Sequence, residues 1–249
     1  MLQFLALTPL ILIILALTAF TAGLARGFSG FGAALIFVPI ATRLLGPQIA
    51  APLLLLTDGF LAAPLVITTW SLARKNEVLL MSLGAVIGIP LGTLILSNAD
   101  PLFLRWAIVV IVIAMLALLM SGWRYNGTPH RSLTTAVGAF SGVLSGISQI
   151  GGPPVVAYLL GSKGEIANLR ASTILYFAIA SVITLVSYLI GGLVTQRILL
   201  ISLALLPFYG TGLWIGSHLF GKASDQFFRR ICFMLIALSV LISLPVWDW

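Results

Sequence analysis

Apolar runs of about 20 residues recur from one end of the chain to the other, with little between them. Each is long enough to cross a hydrocarbon core of about 30 Å as an α-helix. They fall near 4–25, 28–45, 48–70, 78–97, 102–120, 132–147, 151–161, 166–191, 197–219 and 227–246. A membrane β-barrel would instead show alternating segments of about ten residues. Backbone polar groups find no water in hydrocarbon, so spanning segments must satisfy themselves as helices. Composition agrees, with 60% hydrophobic and 8% charged residues, too few charges to cover a soluble domain. The longest polar stretch is Trp123 to Arg131. The chain therefore reads as an all-α, polytopic protein whose constant partner is the lipid bilayer.

The net charge of +7 forms no basic patch along a solvent-facing element, which argues against nucleic acid as a partner. In a membrane protein such an excess marks cytoplasmic loops. The single cysteine, Cys232, sits in an apolar run. No intrachain disulfide can form, and no metal cluster or cofactor motif is present in the sequence. The first 25 residues lack a basic start and have a long apolar part, so they read as a retained helix rather than a signal peptide.

The polar loop 121–131 divides the segments into two sets of five, giving a first repeat over 1–120 and a second over 132–249. Gly27-Phe28-Ser29-Gly30-Phe31-Gly32 aligns with Gly146-Ile147-Ser148-Gln149-Ile150-Gly151 at an offset of 119. Gly88-Ile89-Pro90-Leu91-Gly92 aligns with Gly212-Leu213-Trp214-Ile215-Gly216 at 124, and Asp100 and Arg105 align with Asp225 and Arg230 at 125. Duplication of this kind is a common transporter plan. Arg74, Lys75, Arg124, Arg131, Lys222, Arg229 and Arg230 mark loops on one side. Five crossings per half would then invert the second repeat relative to the first and put the N-terminus outside, although Arg43 and Arg197 would lie outside against the rule.

The two glycine-serine turns carry most of the chemistry. Each interrupts an apolar run, which a membrane tolerates only where freed backbone groups find partners or line a cavity. Pro153 and Pro154 follow Gly151 and Gly152 directly, so 153–161 reads as a half-helix beginning at the turn. A helix start offers free N–H groups and a positive dipole end to an anion. Gly27, Ser29, Gly30, Gly32, Ser148, Gln149, Gly151 and Gly152 are the expected substrate-binding residues, with the two hydroxyls and the Gln149 amide as donors. The competing reading is that these glycines only let helices pack closely, and that reading is preferred for Gly88/Gly92, Gly138/Gly142 and Gly212/Gly216.

Ionisable residues inside the apolar runs are few: Arg26, Asp58, Arg105, Arg170 and His218. Such groups face a cavity, pair with one another or snorkel to the surface. Arg26 adjoins the first turn and could hold an anion there, or snorkel. Arg170 presents a fork suited to carboxylate, sulfonate or phosphate oxygens, or anchors its helix. Asp58 lies about ten residues into its segment, about 15 Å deep at 1.5 Å per residue. A lone carboxylate at that depth suits a group that takes and releases a proton during transport, or one paired with Arg26 or Arg170.

Gly27–Pro39 and Gly146–Tyr158, with the repeat around them and the stretch Asn168-Leu169-Arg170-Ala171-Ser172-Thr173, resemble the sulfite exporter TauE/SafE family (TSUP) over nearly the whole chain. The first turn departs from the family's usual glycine richness at Ser29 and Phe31, and the second at Gln149 and Ile150. The resemblance implies a bacterial inner-membrane transporter of sulfur-containing or carbon-acid anions: sulfite, sulfoacetate, other sulfonates or small carboxylates. Export is the usual expectation and proton coupling is plausible. Besides a membrane subunit of a larger complex, two other readings remain open. One is a passive anion channel. The other is an intramembrane serine protease using Ser29 in Gly27-Phe28-Ser29-Gly30 with His218 as base.

Overall fold

The computed structural model describes residues 7–125, 127, 130–159, 166–219 and 225–247. The described residues form ten α-helices and a terminal 3-10 turn. The helices are α1 (Pro9–Ser29), α2 (Ala33–Leu45), α3 (Pro47–Thr69), α4 (Lys75–Asn98), α5 (Pro101–Ser121), α6 (Arg131–Ser148), α7 (Gly152–Leu159), α8 (Ile166–Ile190), α9 (Gln196–Leu219) and α10 (Asp225–Ser243). Five of them, α1, α4, α5, α8 and α9, have the length and composition to cross a membrane. The chain is a multi-pass, all-α membrane protein. Helix starts follow local chemistry. Asp100 accepts from the N–H groups of Leu102 and Phe103 at 2.9 and 3.0 Å, and Pro101 occupies the first turn of α5.

The two interruptions are shorter than the sequence motifs that announce them. Gly27, Phe28 and Ser29 belong to α1, and the break is confined to Gly30–Gly32. Gly146, Ile147 and Ser148 likewise finish α6, leaving Gln149–Gly151 as the second break. Gly30 and Gly32 have φ of +78° and +100°, a region closed to most side chains, so this turn needs glycine. Gln149 adopts φ of +60° at the matching place.

Two close helix pairs organise the bundle, and glycines make both. On α1, a methyl group at Gly23 or Gly27 would land on the Tyr209 or Leu213 carbonyl oxygen of α9. On α6, a methyl at Gly146 would land on the Ile89 carbonyl oxygen of α4, and one at Gly88 on that of Ala139. Without a hydrophobic drive between helices in lipid, such backbone-to-backbone approach supplies the packing. The partners rise together along both members of each pair, so α1 runs parallel to α9 and α4 parallel to α6.

The remaining directions follow from side-chain contacts. Tyr176 donates to the Gly138 carbonyl and Tyr188 to that of Gly146, which makes α8 parallel to α6. On α3, Ala51 and Leu55 share a cluster with Tyr188 and Leu193, whereas Asp58 lies beside Phe177. Helix α3 therefore runs against α8. It accompanies α9, with Ala50 to Leu54 clustered with Ile198 to Leu205, and Asp58 bonded to Tyr209.

These contacts generate a first prediction. Gly88→Ile and Gly212→Ile should each prevent the close pairing and lower stability by about 3 kcal/mol or more, beyond the usual cost of overpacking. Gly59→Ala, where the added carbon meets nothing within 4 Å, should be near neutral. Thermal denaturation and monodispersity in detergent read the difference.

Candidate binding site

Arg26 lies in the last turn of α1, and its position is fixed by three neighbours. Its Nη1 donates to the Gly30 carbonyl at 2.6 Å, which ties the side chain to the break. Its Nη2 is 3.2 Å from the Asp58 carboxylate of α3. Its guanidinium carbon stands 5.9 Å from the centre of the Phe177 ring of α8, a cation–π distance. Asp58 in turn accepts from the Tyr209 hydroxyl of α9 at 2.7 Å. Four helices thus meet at one ion pair whose side chains are only 16% and 22% exposed.

The pair opens onto a cavity of about 60 Å³. A single water needs roughly 10–15 Å³ by this measure, so the space suits a small polyatomic ion. Both breaks reach it: Gly32, Ala33 and Ala34 from the first, and Gln149, Gly152 and Pro153 from the second. Gly32 has no side chain with which to cap α2, and the Leu35 N–H is bonded back to Gly32 at 3.1 Å. The Ala33 and Ala34 N–H groups are therefore what α2 presents at the cavity. Helix α7 presents less, because Pro153 and Pro154 carry no N–H.

Several expected donors are committed elsewhere. The Ser29 hydroxyl donates to the Ala25 carbonyl at 2.7 Å and also faces the Phe31 carbonyl. The Ser148 hydroxyl is fully buried and donates to the Leu144 carbonyl at 3.1 Å. Both back-bond to the preceding turn because both lie in helix, not in the break. Neither is among the residues lining the small cavity. The Gln149 amide lines it, but its N–H₂ donates to the Ser145 carbonyl at 3.1 Å and to the Tyr188 hydroxyl at 3.2 Å. Gly27 serves helix contact, and Gly151 lets the second break lie against Ser141 and Ser145 of α6. Gly30 faces a separate, larger cavity. Arg170 belongs to α8, but its side chain lies outside the described residues.

Residues that sequence reasoning did not single out complete the site. Ser145 stands 119 residues after Arg26, and Phe177 119 after Asp58, the offset of the two glycine turns; both line the same cavity. The offset applied to Asp58 gives Phe177 from the sequence alone, and applied to Arg26 it gives Ser145. Tyr209, a hydroxyl in the middle of an apolar run, was the available signal for the third member of the ion-pair cluster. Two larger spaces flank the site. One of about 710 Å³ lies between α1, α3, α8 and α9 and shares Arg26, Asp58 and Phe177 with it. The other, of about 270 Å³, reaches Arg124 and Cys232 and shares Phe31, Gly32 and Leu35.

The protease constellation is not assembled. His218 is exposed, stacks on Trp214, and has its Nδ1 2.8 Å from the Trp214 carbonyl. Among the described residues no hydrogen bond joins it to Ser29, whose hydroxyl is bound within its own turn. No group of three or more metal-ligating side chains occurs among the described residues.

Removing one member of a buried ion pair strands the other at a cost of about 3–5 kcal/mol. Arg26→Gln should therefore destabilise the protein, and Arg26→Gln combined with Asp58→Asn should recover most of the loss, measured by thermal denaturation. Ser148→Ala should leave anion binding unchanged within about twofold, since its hydroxyl is spent on Leu144.

A protein-family model described as Sulfite exporter TauE/SafE matches residues 15–242, which takes in both breaks and every residue of the ion-pair cluster. Neither a curated protein nor a solved structure matches the chain. With nearly its whole length covered, the chain belongs to the sulfite exporter TauE/SafE family and shares its general role in moving anions across membranes.

Proposed function

We propose that this protein exports a small sulfur-containing or organic anion, such as sulfite, sulfoacetate or another sulfonate, across a bacterial inner membrane. The single observation that carries this reading is the convergence of Arg26, Asp58 and both helix breaks on one cavity of about 60 Å³. Arg26 keeps N–H groups beyond those given to Gly30 and Asp58, and a planar fork suits an oxyanion. Ala33 and Ala34 add backbone donors from the start of α2. The flanking cavities supply approaches from two directions, closed off from the site by Phe31 on one side and by Arg26, Asp58 and Phe177 on the other.

The two sets of five helices are read as inverted repeats, over 1–120 and 132–249, related by a pseudo-two-fold axis in the membrane plane. The glycine contacts support the repeat: Gly27 meets Leu213 and Ser217, and Gly146 meets Ile89 and Thr93, partners that correspond at offsets of 119 and 124. Helix directions support the inversion. Helices α1, α3 and α9 run one way and α4, α6 and α8 the other, so α1 opposes its mate α6. Alternating access in such transporters moves one repeat against the other around a fixed site.

Asp58 is the proposed coupling residue, its charge being the one that competes with the substrate for Arg26. In liposomes, Asp58→Asn should retain exchange of labelled anion at near-parental rate while losing acceleration by an imposed pH gradient. Proton-driven accumulation persisting in that variant would remove Asp58 from the coupling step. A parent protein that never concentrates anion under a proton gradient would favour the passive channel.

A further inference from the structure

The charge of the cavity wall has to balance together with whatever enters. Among the described residues that line the cavity, Arg26 is the cation and Asp58 the anion, 3.2 Å apart. The other elements around it offer neutral groups: Phe31 and Gly32 from the first break, Ala33 to Leu35 from α2, Ser145 from α6, Gln149 and Gly152 around the second break, and Phe177 and Ser181 from α8. From α9 the Tyr209 hydroxyl reaches Asp58 at 2.7 Å. With Asp58 ionised, the site is neutral and Arg26 already has its counter-charge. An anion entering then would bring a second buried negative charge beside the first, at a cost that falls on both. With Asp58 protonated, the site carries one positive charge and a guanidinium free to turn. One negative charge restores balance, and two overshoot it.

We infer that the cavity takes one monovalent oxyanion, of sulfonate, carboxylate or hydrogen-sulfite type, together with one proton, and discriminates against divalent oxyanions. This rests on the reading of the cavity as the transport site. The proton adds to a carboxylate oxygen of Asp58, its contact with Arg26 opens, and the guanidinium N–H groups turn to the oxygens of the anion. Tyr209 keeps Asp58 in place in both states, donating to the carboxylate or accepting from the carboxylic acid. Proton and anion travel in the same direction as a neutral load. Net export then follows the outward gradient of the pair.

The test is calorimetric titration of the purified full chain with methanesulfonate, which stays monovalent at ordinary pH, so that only the protein titrates. Affinity should rise about tenfold for each unit of pH lost until Asp58 is protonated. Asp58→Asn should bind tightly with no pH dependence. Tyr209→Phe should move the half-maximal pH upward, because the ionised carboxylate loses a donor. Sulfate, similar in shape but divalent, should bind at least about tenfold more weakly than methanesulfonate. A parent affinity that is flat with pH, or sulfate binding as well as methanesulfonate, overturns the inference. If Asp58→Asn does not fold, the parent and Tyr209→Phe profiles still decide it. Arg26→Gln in the Asp58→Asn background separates the two levels. Retained binding there, or none in the parent at any pH, rejects the cavity as the anion site. Loss there with a pH-flat parent rejects only the shared proton.

Discussion

Arg26 and Asp58 place two opposite, largely buried charges 3.2 Å apart in a helix bundle whose core is mainly apolar. Either charge alone would cost several kcal/mol when buried there, so each depends on the other being held within reach. The reach is set by backbone packing. Gly23 and Gly27 let α1 lie against α9, which brings Arg26 and Tyr209 to one level. Asp58 then meets both from α3, and the break at Gly30 gives the guanidinium a carbonyl to hold. Replacing the glycines would not touch the ion pair directly, yet it would separate its members.

In the repeat proposed above, the second half lacks the charged pair. At the positions that correspond to Arg26, Asp58 and Tyr209 stand Ser145, Phe177 and Ala85. The packing glycines are kept in both halves and the charges in only one. Phe177 is the instructive case, because its ring lies over Arg26 and lines the cavity together with Asp58. On that proposed repeat, the glycine contacts between helices recur in both halves, while the ion pair does not. Among the described residues a single cation serves one small cavity, and a second one mirrored into the same space would face it with like charge.

The helices were legible because each apolar run is long and each break carries glycine, and the expected segments agree with the observed helices to within a few residues at most ends. The first segment was expected to end near residue 25, but α1 runs on to Ser29. Gly27 and Ser29 looked like turn residues, but a helix tolerates both where the glycine faces another backbone and the serine bonds back to Ala25. The same physics removed Ser148 from the cavity wall. Only residues with positive φ, Gly30, Gly32 and Gln149, mark the breaks themselves, and the sequence holds too many glycines to tell these from the packing ones. Arg26 and Asp58 stood out as charges in apolar surroundings. Their pairing was one option among several, since 32 residues separate them and nothing in the chain states which helices touch.

The break residues also explain why a membrane protein would keep a polar cavity so small. Helix α2 begins without a side-chain cap, and α7 begins with two prolines that have no N–H to offer. An extended anion would need donors along its whole length, whereas the charged donor of the cavity is Arg26 among the described residues. The Gln149 amide could have supplied another donor, but it is held by Ser145 and Tyr188. The cavity wall also carries the Phe177 ring, which lies over Arg26, and Pro153. Such a wall favours a ligand with a compact oxyanion head held by Arg26 and little other polar surface, because a polar atom set against the ring or the proline loses its water without gaining a partner.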